Sequence, residues 1–208
     1  MTKFCDDEYG VVTISSDCMT CVHVYTIIVV RRLMCVNISN LVTDCALCYN
    51  TYYMILGTLC YIQKNNATLL MHRNKKENDE MHDYWIGLGG KVHTEIGETP
   101  EECIIREVHE ESGLTVKPKL RGIITFRNVE PNINDWYAYV FTATTFTGIL
   151  TDSHEGSLQW IKNSEMKNIS IPEGDELFIK WMQESKRFFS ARFIYQNRKL
   201  QDHSVIFY

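Results

Sequence analysis

Glycines followed by a dense run of acidic residues, between Gly89 and Leu114, constrain this chain more than any other feature. The stretch reads GGKVHTEIGETPEECIIREVHEESGL. Thr99 begins a Thr-Pro-Glu-Glu run, which is typical of a helix start. Threonine can cap the helix, proline suits its first turn, and Glu102 completes a capping box. Gly113 is a typical helix stop. The sequence therefore predicts a helix from Pro100 to Ser112.

Three glutamates share one side of this predicted helix. At 100° per residue they fall within an arc of roughly 100°, and they are Glu107, Glu110 and Glu111. A neighbouring apolar stripe is expected to pack against the protein, and it is formed by Ile104, Ile105 and Val108. One side of the helix would pack, and the adjacent side would present acids.

Clustered glutamates repel one another, so the acidic side is either a solvated surface or a cation site. Carboxylate oxygens are hard ligands that suit Mg²⁺ or Mn²⁺, which keep some waters and share substrate phosphates. Gly87, Gly89 and Gly90 precede the helix through a short loop. Glycines let the backbone approach a metal or a phosphate closely. The combination favours the cation site.

The spacing of the acidic residues resembles the Nudix box, and the matching residues are Glu98, Arg106, Glu107, Glu110, Glu111 and Gly113. Nudix enzymes bind divalent metals and use water to attack a phosphorus of a nucleoside diphosphate linked to a further group. The resemblance implies an α/β fold, a Nudix α/β/α sandwich with a mixed β-sheet. It also implies a hydrolase with Mg²⁺, or alternatively Mn²⁺, as cofactor.

The same resemblance implies a role for each residue of the box. The direct metal ligands would be Glu107, Glu110 and Glu111. Glu110 or Glu111 would also be the candidate base. Glu98 would bind a metal through water, and the Gly90 carbonyl would be a further ligand. Arg106 would orient a neighbouring carboxylate. The loop before Glu98 is longer than in the family pattern, which affects the role of Gly90 and leaves the helix ligands untouched.

Residues outside the box narrow the resemblance to the MutT/MutX-like 8-oxo-dGTP diphosphatases. The segment from Trp85 to Val92 resembles their strand and loop, and the segments 171–175 and 189–193 resemble their tail. Several relatives carry asparagine where this chain has Ile86, so a base-reading amide is missing. The implied substrate is 8-oxo-dGTP or a related purine nucleotide, cleaved to the monophosphate and pyrophosphate in nucleotide-pool sanitation and DNA repair.

Four further residues are candidates for contacts with substrate or metal. Glu173 and Asp175 could face the purine edge, or could serve only as favourable charges at a helix N-terminus. Lys91 could contact a phosphate of the substrate, or it could be an ordinary solvated lysine of the loop. Glu155 aligns with a glutamate that assists metal binding or base catalysis in relatives.

The rest of the chain from Met54 onward reads as one mixed α/β domain. Apolar runs bounded by turn residues predict strands, at 54–62, 68–71, 120–126, 136–145, 158–161, 189–195 and 204–207. Apolar residues at helical spacing predict a second helix at 175–185.

Residues 1–53 differ in kind, because they hold six of the eight cysteines. Two Cys-x-x-Cys pairs, at 18–21 and 45–48, suggest a four-cysteine zinc site, although the gap between them exceeds the usual spacing. The alternative is a poorly ordered extension, or a segment upstream of the native product. We favour the extension, and thus expect residues 54–208 to form the Nudix domain.

Composition excludes several classes of protein. The net charge of −5 does not favour a partner such as nucleic acid, which is held by basic patches. The apolar runs are too short to span a membrane, and the N-terminus lacks a secretory signal pattern. A cytoplasmic enzyme with a nucleotide substrate is expected, and the sequence leaves its oligomeric state open.

Two other functions stay open. The Cys-x-x-Cys pairs suggest a pyrophosphatase for NADH or for another nucleoside diphosphate linked to a further group X (nucleoside diphosphate-X). However, the Trp- and Pro-rich motif that NADH pyrophosphatases carry after the box is absent. A non-hydrolysing nucleotide-binding domain is the other alternative. Inactive Nudix-like binders usually lose acids of the box, whereas this chain keeps them.

Overall fold

A computed structural model describes residues 10–14, 25–29, 54–76, 79, 81–130 and 133–208. The chain divides into two units, 1–50 and 51–208. In the first unit, β1 (Gly10–Ile14) pairs antiparallel with β2 (Tyr25–Val29). The two Cys-x-x-Cys pairs lie outside the described residues, as does most of the segment expected to be an extension. Both interpretations of residues 1–53 therefore stay predictions.

The second unit contains ten described strands and two α-helices. The strands are β3 (Met54–Lys64), β4 (Ala67–His72), β5 (Trp85–Ile86), β6 (Leu114–Val116), β7 (Lys119–Asn128), β8 (Asp135–Ala143), β9 (Phe146–Gly148), β10 (Ser157–Lys162), β11 (Phe189–Gln196) and β12 (Lys199–Phe207). The helices are α1 (Pro100–Ser112) and α2 (Glu173–Glu184). No helix in the described part of the chain is long and apolar enough to cross a membrane.

Eight of the described strands form one mixed sheet. Seven follow the order β10-β4-β3-β8-β7-β11-β12, and β5 pairs with β4 beside this path. β3 runs parallel to β8, and β11 runs parallel to β7, whereas the other neighbours are antiparallel. β6 and β9 form a separate pair. The predicted mixed sheet is confirmed.

The two helices pack on opposite faces of this sheet. Successive side chains of a strand point to opposite faces, and β3 shows this clearly. Cys60 and Ile62 belong to the apolar cluster that contains Ile104 of α1. Tyr61, between them, belongs to the cluster that contains Phe178 of α2. Each fully buried apolar side chain contributes about 1.5–3 kcal/mol. The α/β/α sandwich is confirmed.

Helix α1 begins and ends where its sequence predicts. The Thr99 hydroxyl accepts a hydrogen bond from the Glu102 N–H at 3.2 Å, and the Glu102 carboxylate accepts one from the Thr99 N–H at 2.9 Å. Gly113 adopts φ +70 and donates its N–H to the His109 carbonyl at 2.8 Å. The apolar stripe is narrower than expected, because Ile105 is 37% exposed.

Several boundaries differ from the sequence predictions, and β12 differs most, because it begins at Lys199 and not at residue 204. The turn between β3 and β4 uses Asn65 and Asn66 at positive φ, so both strands extend further than predicted. β8 ends at Ala143, and the residues after Thr145 form β9. α2 begins at Glu173 because Pro172 occupies the N-cap position.

Candidate active site

The glycine loop runs alongside the first half of β3. The Gly90 carbonyl accepts a hydrogen bond from the Thr58 N–H at 2.9 Å, and Leu88 exchanges backbone bonds with Cys60. Gly89 has φ +148, and a Cβ atom there would collide with the Thr58 carbonyl. Only glycine fits this conformation and this contact.

The Glu107 carboxylate from α1 lies against the backbone of Gly90. A Cβ atom at Gly90 would lie 2.5 Å from each carboxylate oxygen of Glu107, closer than real Cβ contacts allow. The helix packs its Glu107 against the loop only because Gly90 has no side chain. Two of the residues predicted as metal ligands are thereby brought together.

The Glu111 carboxyl is buried next to the same loop. It is 7% exposed, and its Oε2 accepts a hydrogen bond from the Gly89 N–H at 2.9 Å. Burial raises the pKa of Glu111 to about 8 despite that bond, and the charges of Glu107 and Glu155 act in the same direction. No basic side chain among the described residues forms an ion pair with Glu111. A nearby cation would favour the ionised form.

Arg106 connects the acids of α1 to the loop before it. Its Nε and Nη2 donate to the two oxygens of Glu98 at 2.7 and 3.0 Å. Its Nη1 donates to Glu107 at 2.7 Å and lies 3.4 Å from Glu110. The bonds from Arg106 lower the pKa of Glu98 to about 2. A bidentate pair of this kind fixes orientation as well as charge. Glu110 itself is exposed.

Glu155 lies close enough to α1 to influence Glu111, but it is already paired. It forms ion pairs with Arg73 and with Lys76, the latter at 2.7 Å. Burial would raise the pKa of Glu155, yet the two basic partners lower it overall. Arg73 also binds Asp79 at 2.6 Å.

The remaining predicted contact residues are dispersed. Lys91 is exposed, with its Nζ 5.8 Å from the centre of the Trp136 ring. Glu173 accepts a hydrogen bond from the Leu200 N–H at 2.9 Å. Asp175 is buried on the α2 face of the sheet, where the Tyr61 hydroxyl donates to it at 3.0 Å. Burial raises the pKa of Asp175 to about 7.

Comparison with known proteins identifies the family. The NUDIX domain family matches residues 55–182, which is more than half of the chain. The chain belongs to the Nudix hydrolase family. It is 28% identical over 147 residues to the uncharacterized Nudix hydrolase YvcI of Bacillus subtilis (strain 168), covering 69% of this chain and 88% of that protein.

Two further similarities concern a nucleotide hydrolase and a solved structure. The oxidized purine nucleoside triphosphate hydrolase of Danio rerio is 35% identical over 124 residues, covering 59% of this chain and 73% of that protein. The crystal structure of the mutator MutT protein from Bacillus halodurans superposes with a TM-score of 0.64 at 29% identity. It covers 73% of this chain and 97% of the MutT chain. These similarities support a MutT-like member of the Nudix family.

Nudix hydrolases generally use divalent cations, and the donor set of this Nudix box suits them. Carboxylate and carbonyl oxygens are the ligands that Mg²⁺ prefers, and the bare backbone of Gly90 gives a close approach to Glu107. Among the described residues, however, no three acidic, histidine or cysteine side chains are gathered closely enough to hold a metal. Arg106 binds the Glu98 and Glu107 carboxylates in this structure.

Two of the predicted site residues have partners that were not predicted from the sequence. Arg73 and Lys76 hold Glu155, and Tyr61 holds Asp175. Arg73 and Lys76 follow β4 directly in the sequence, and these basic residues could have indicated an acidic partner such as Glu155. Tyr61 alternates with Cys60 and Ile62 in β3, so its side of the sheet was predictable, but its contact with Asp175 depends on how α2 packs.

Proposed function

We propose that this Nudix protein hydrolyses oxidised purine nucleoside triphosphates, with 8-oxo-dGTP as the reference substrate. The products would be the monophosphate and pyrophosphate, which would clear damaged nucleotides from the cytoplasmic pool. The observation that carries this proposal is the packing of Glu107 and Glu111 against the bare backbone of Gly89 and Gly90. The named activity of the Danio rerio relative supports the substrate class.

Mg²⁺ is the proposed cofactor, and Mn²⁺ is the alternative. The residues that would hold it are Glu107, Glu110, Glu111, the Gly90 carbonyl and, through water, Glu98. A bound divalent cation would neutralise charge that develops on the phosphates and lower the pKa of the attacking water. Glu111 suits cation binding because it is buried near the like charges of Glu107 and Glu155, and its one hydrogen bond within the described part of the chain comes from the Gly89 N–H.

Arg106 would act as a positioning residue in this scheme. It holds Glu98 through two bonds but touches Glu107 through one, and its contact with Glu110 is long at 3.4 Å. Glu107 and Glu110 can therefore turn toward a cation while Arg106 stays anchored on Glu98. Glu110 or Glu111 would then accept the proton of the attacking water.

Glu155 and Lys91 would support the polyphosphate end of the substrate. Glu155 is tied to Arg73 and Lys76 beside Glu111, so it would add negative charge for a metal from outside the box. Lys91 follows Gly90 directly and is exposed, so its flexible side chain would reach a phosphate oxygen.

Purine recognition would rest mainly on Asp175. A carboxyl with a pKa of about 7 can donate a hydrogen bond when protonated and accept one when ionised. Glu173 would have to release the Leu200 N–H before it could contact a base. Ile86 offers no amide to read the base, so discrimination would depend on the Asp175 carboxyl. A base whose hydrogen-bonding groups do not match this carboxyl would bind more weakly, by about 1–3 kcal/mol.

A steady-state assay on a nucleotide panel tests this proposal. The panel contains 8-oxo-dGTP, dGTP, dATP, dCTP and NADH, each with Mg²⁺. We expect kcat/KM for 8-oxo-dGTP to exceed that for dGTP by at least about 10-fold, as hydrogen-bond reading of a base allows. Equal, feeble turnover of all triphosphates would reject the sanitation role, and a preference for NADH would favour the diphosphate-linked class.

A further inference from the structure

A cavity away from the Nudix box lies beside the C-terminal end of α2. Its volume is about 670 Å³, within the range of small-molecule sites. Its charged lining residues all carry positive charge and are Lys117, Lys119, Arg121 and Lys186. Side-chain amides and hydroxyls supply most of the remainder, and none of the described lining residues is acidic or aromatic.

This cavity is separate from the Nudix box. Gly90 contacts β3 at Thr58, whereas the cavity touches the same strand at Gln63. Five residues of strand correspond to roughly 16 Å. The box helix packs on one face of the sheet, whereas Met182 of α2 lines the cavity on the opposite face. Asp175 shares the α2 face with the cavity, but it lies in the first turn of α2, roughly 10 Å along the helix axis from Met182. Ligand bound here would not occupy the catalytic site.

Arg121 is the most informative residue of the cavity. The register between β7 and β8 shifts at this position, so Arg121 is the extra residue of a β-bulge. Bulges commonly redirect a side chain. Its Nη2 donates to the carbonyls of Met182 and Ser185 at 3.3 and 2.5 Å, which places a cation at the C-terminal end of α2.

The bonds that Arg121 makes to the end of α2 do not satisfy all the hydrogen-bond donors of its guanidinium. Arg121 is 8% exposed, and its Nε has no hydrogen-bond partner in the described part of the chain. A buried donor without a partner costs about 1–3 kcal/mol, and burial without a facing acid also lowers the pKa of Arg121. Because Arg121 lines the cavity, an anion there would offset the cost of the buried positive charge.

Three lysines of the cavity add to the positive charge of Arg121. Lys117, Lys119 and Lys186 are exposed, and none forms an ion pair with a described residue. Ordinary surface lysines would explain three solvated ammonium groups, but not their grouping around a buried Arg121 in a chain whose net charge is −5. A concave site lined by one sign of charge concentrates counter-ions.

We propose that this cavity binds an oligophosphate, either free pyrophosphate or the phosphate chain of a nucleotide. Four cationic side chains match an anion with several charges, and the surrounding amides and hydroxyls can bond to phosphate oxygens. The absence of aromatic rings from the described lining means that phosphate, and not a stacked base, is recognised. The proposal does not depend on the reaction catalysed at the Nudix box.

Calorimetric titration of the full chain with chelator present tests this site without turnover. The ligands are pyrophosphate, orthophosphate, a non-hydrolysable nucleoside triphosphate and a single-stranded oligonucleotide. The cavity variant combines Lys117→Gln, Lys119→Gln and Lys186→Gln. The control removes the same charge from exposed lysines outside the cavity, by Lys167→Gln, Lys180→Gln and Lys199→Gln.

We expect pyrophosphate to bind the wild type and the control alike, and the cavity variant at least about 10-fold more weakly. Orthophosphate should bind more weakly than pyrophosphate. If the cavity variant also loses affinity for the triphosphate, the cavity binds the phosphate chain of nucleotides as well. If it loses affinity for pyrophosphate alone, the ligand is the free anion. Equal affinity in both triple variants, no pyrophosphate binding, or binding of the oligonucleotide alone would overturn the proposal.

NMR on the isotope-labelled chain gives a second readout that does not rely on the lysine variants. Pyrophosphate should shift the amide signals of Lys119, Thr142 and Gln183, which border the cavity, and leave Gly89 and Glu111 unchanged. Shifts confined to the residues of the Nudix box would overturn the assignment. Arg121→Met, if folded, should abolish the cavity shifts.

Discussion

The Glu107 carboxylate packs directly against the backbone of Gly90, where no side-chain atom could be accommodated. This contact joins the acidic face of α1 to the loop that follows β5. The Arg106 Nη1 donates a hydrogen bond to the same carboxylate at 2.7 Å. Loop, helix and arginine therefore set the position of one acid together.

Gly90→Ala should disrupt this arrangement. The new methyl group would displace the Glu107 carboxylate, and misplacement by about 1 Å can lower a rate by about 10²-fold. We expect kcat/KM with 8-oxo-dGTP to fall by about that factor, and the Mg²⁺-induced rise in unfolding temperature to shrink. Gly97→Ala is the control, since a Cβ there meets nothing within 4 Å, although φ +75 costs some stability. Equal activity in both variants would contradict the role of Gly90.

Glu111→Gln should lower catalytic activity without lowering the stability of the fold. The glutamine oxygen can still accept the Gly89 N–H, so the urea midpoint should not fall. The charge is lost, and kcat should decrease by at least about 10²-fold, as for removal of a key charge-stabilising group. Glu110→Gln should show a similar decrease. Glu101→Gln, exposed in the first turn of the same helix, should retain wild-type kcat. Full activity of Glu111→Gln would remove it from the proposed ligand set.

Arg106→Lys tests whether the bidentate guanidinium of Arg106 positions the carboxylates of the Nudix box. A lysine keeps the charge but cannot bond both oxygens of Glu98 and also reach Glu107. We expect the Mg²⁺ concentration for half-maximal activity to rise by about 10-fold, the usual scale for losing a supporting contact of a metal ligand. Arg192→Lys, at an exposed position of β11, is the matched control. Retention of wild-type Mg²⁺ dependence would show that charge alone suffices.

Asp175 should make stability depend on pH. Burial raises its pKa from the usual 3.8 to about 7, so between these values the folded state holds a proton that the unfolded state releases. Stability contributed by this group is therefore lost as pH rises from about 4 to about 7, by up to about 4 kcal/mol.

Urea unfolding at pH 5, 6, 7 and 8 checks this sign. Asp175→Asn cannot titrate, so its stability relative to wild type should increase with pH. Asp152→Asn, which is exposed, should run parallel to wild type. A constant difference between Asp175→Asn and wild type across the range would mean that the native carboxyl titrates normally.

Local signals in the sequence were sufficient for helix α1 and for the residue types of the box. Thr99, Glu102 and Gly113 define both ends of the helix through bonds between near neighbours. Most strand positions followed from apolar runs for the same reason, but β6 and β9 were not predicted, and the polar first half of β12 was missed. Pairing partners, such as the parallel neighbours β3 and β8, were not predictable from local pattern because they join segments distant in sequence.

Long-range contacts also limited what could be predicted about the site. Carboxylates on one helical arc need not converge on one point, because Arg106 binds Glu107 while Glu111 accepts the Gly89 N–H. Asp175 was identified as a candidate from sequence, but its burial against Tyr61 arises from the packing of α2 on β3. The cationic cavity was missed because its lysines come from separate elements.

Product analysis by phosphorus NMR in ¹⁸O-labelled water tests the central proposal most directly. With 8-oxo-dGTP and Mg²⁺, we predict the monophosphate and pyrophosphate, with ¹⁸O in one of the two, no reaction when a chelator replaces Mg²⁺, and a greatly slowed reaction in Glu111→Gln. Release of orthophosphate and the diphosphate, unlabelled products, or equal rates for wild type and Glu111→Gln would contradict it.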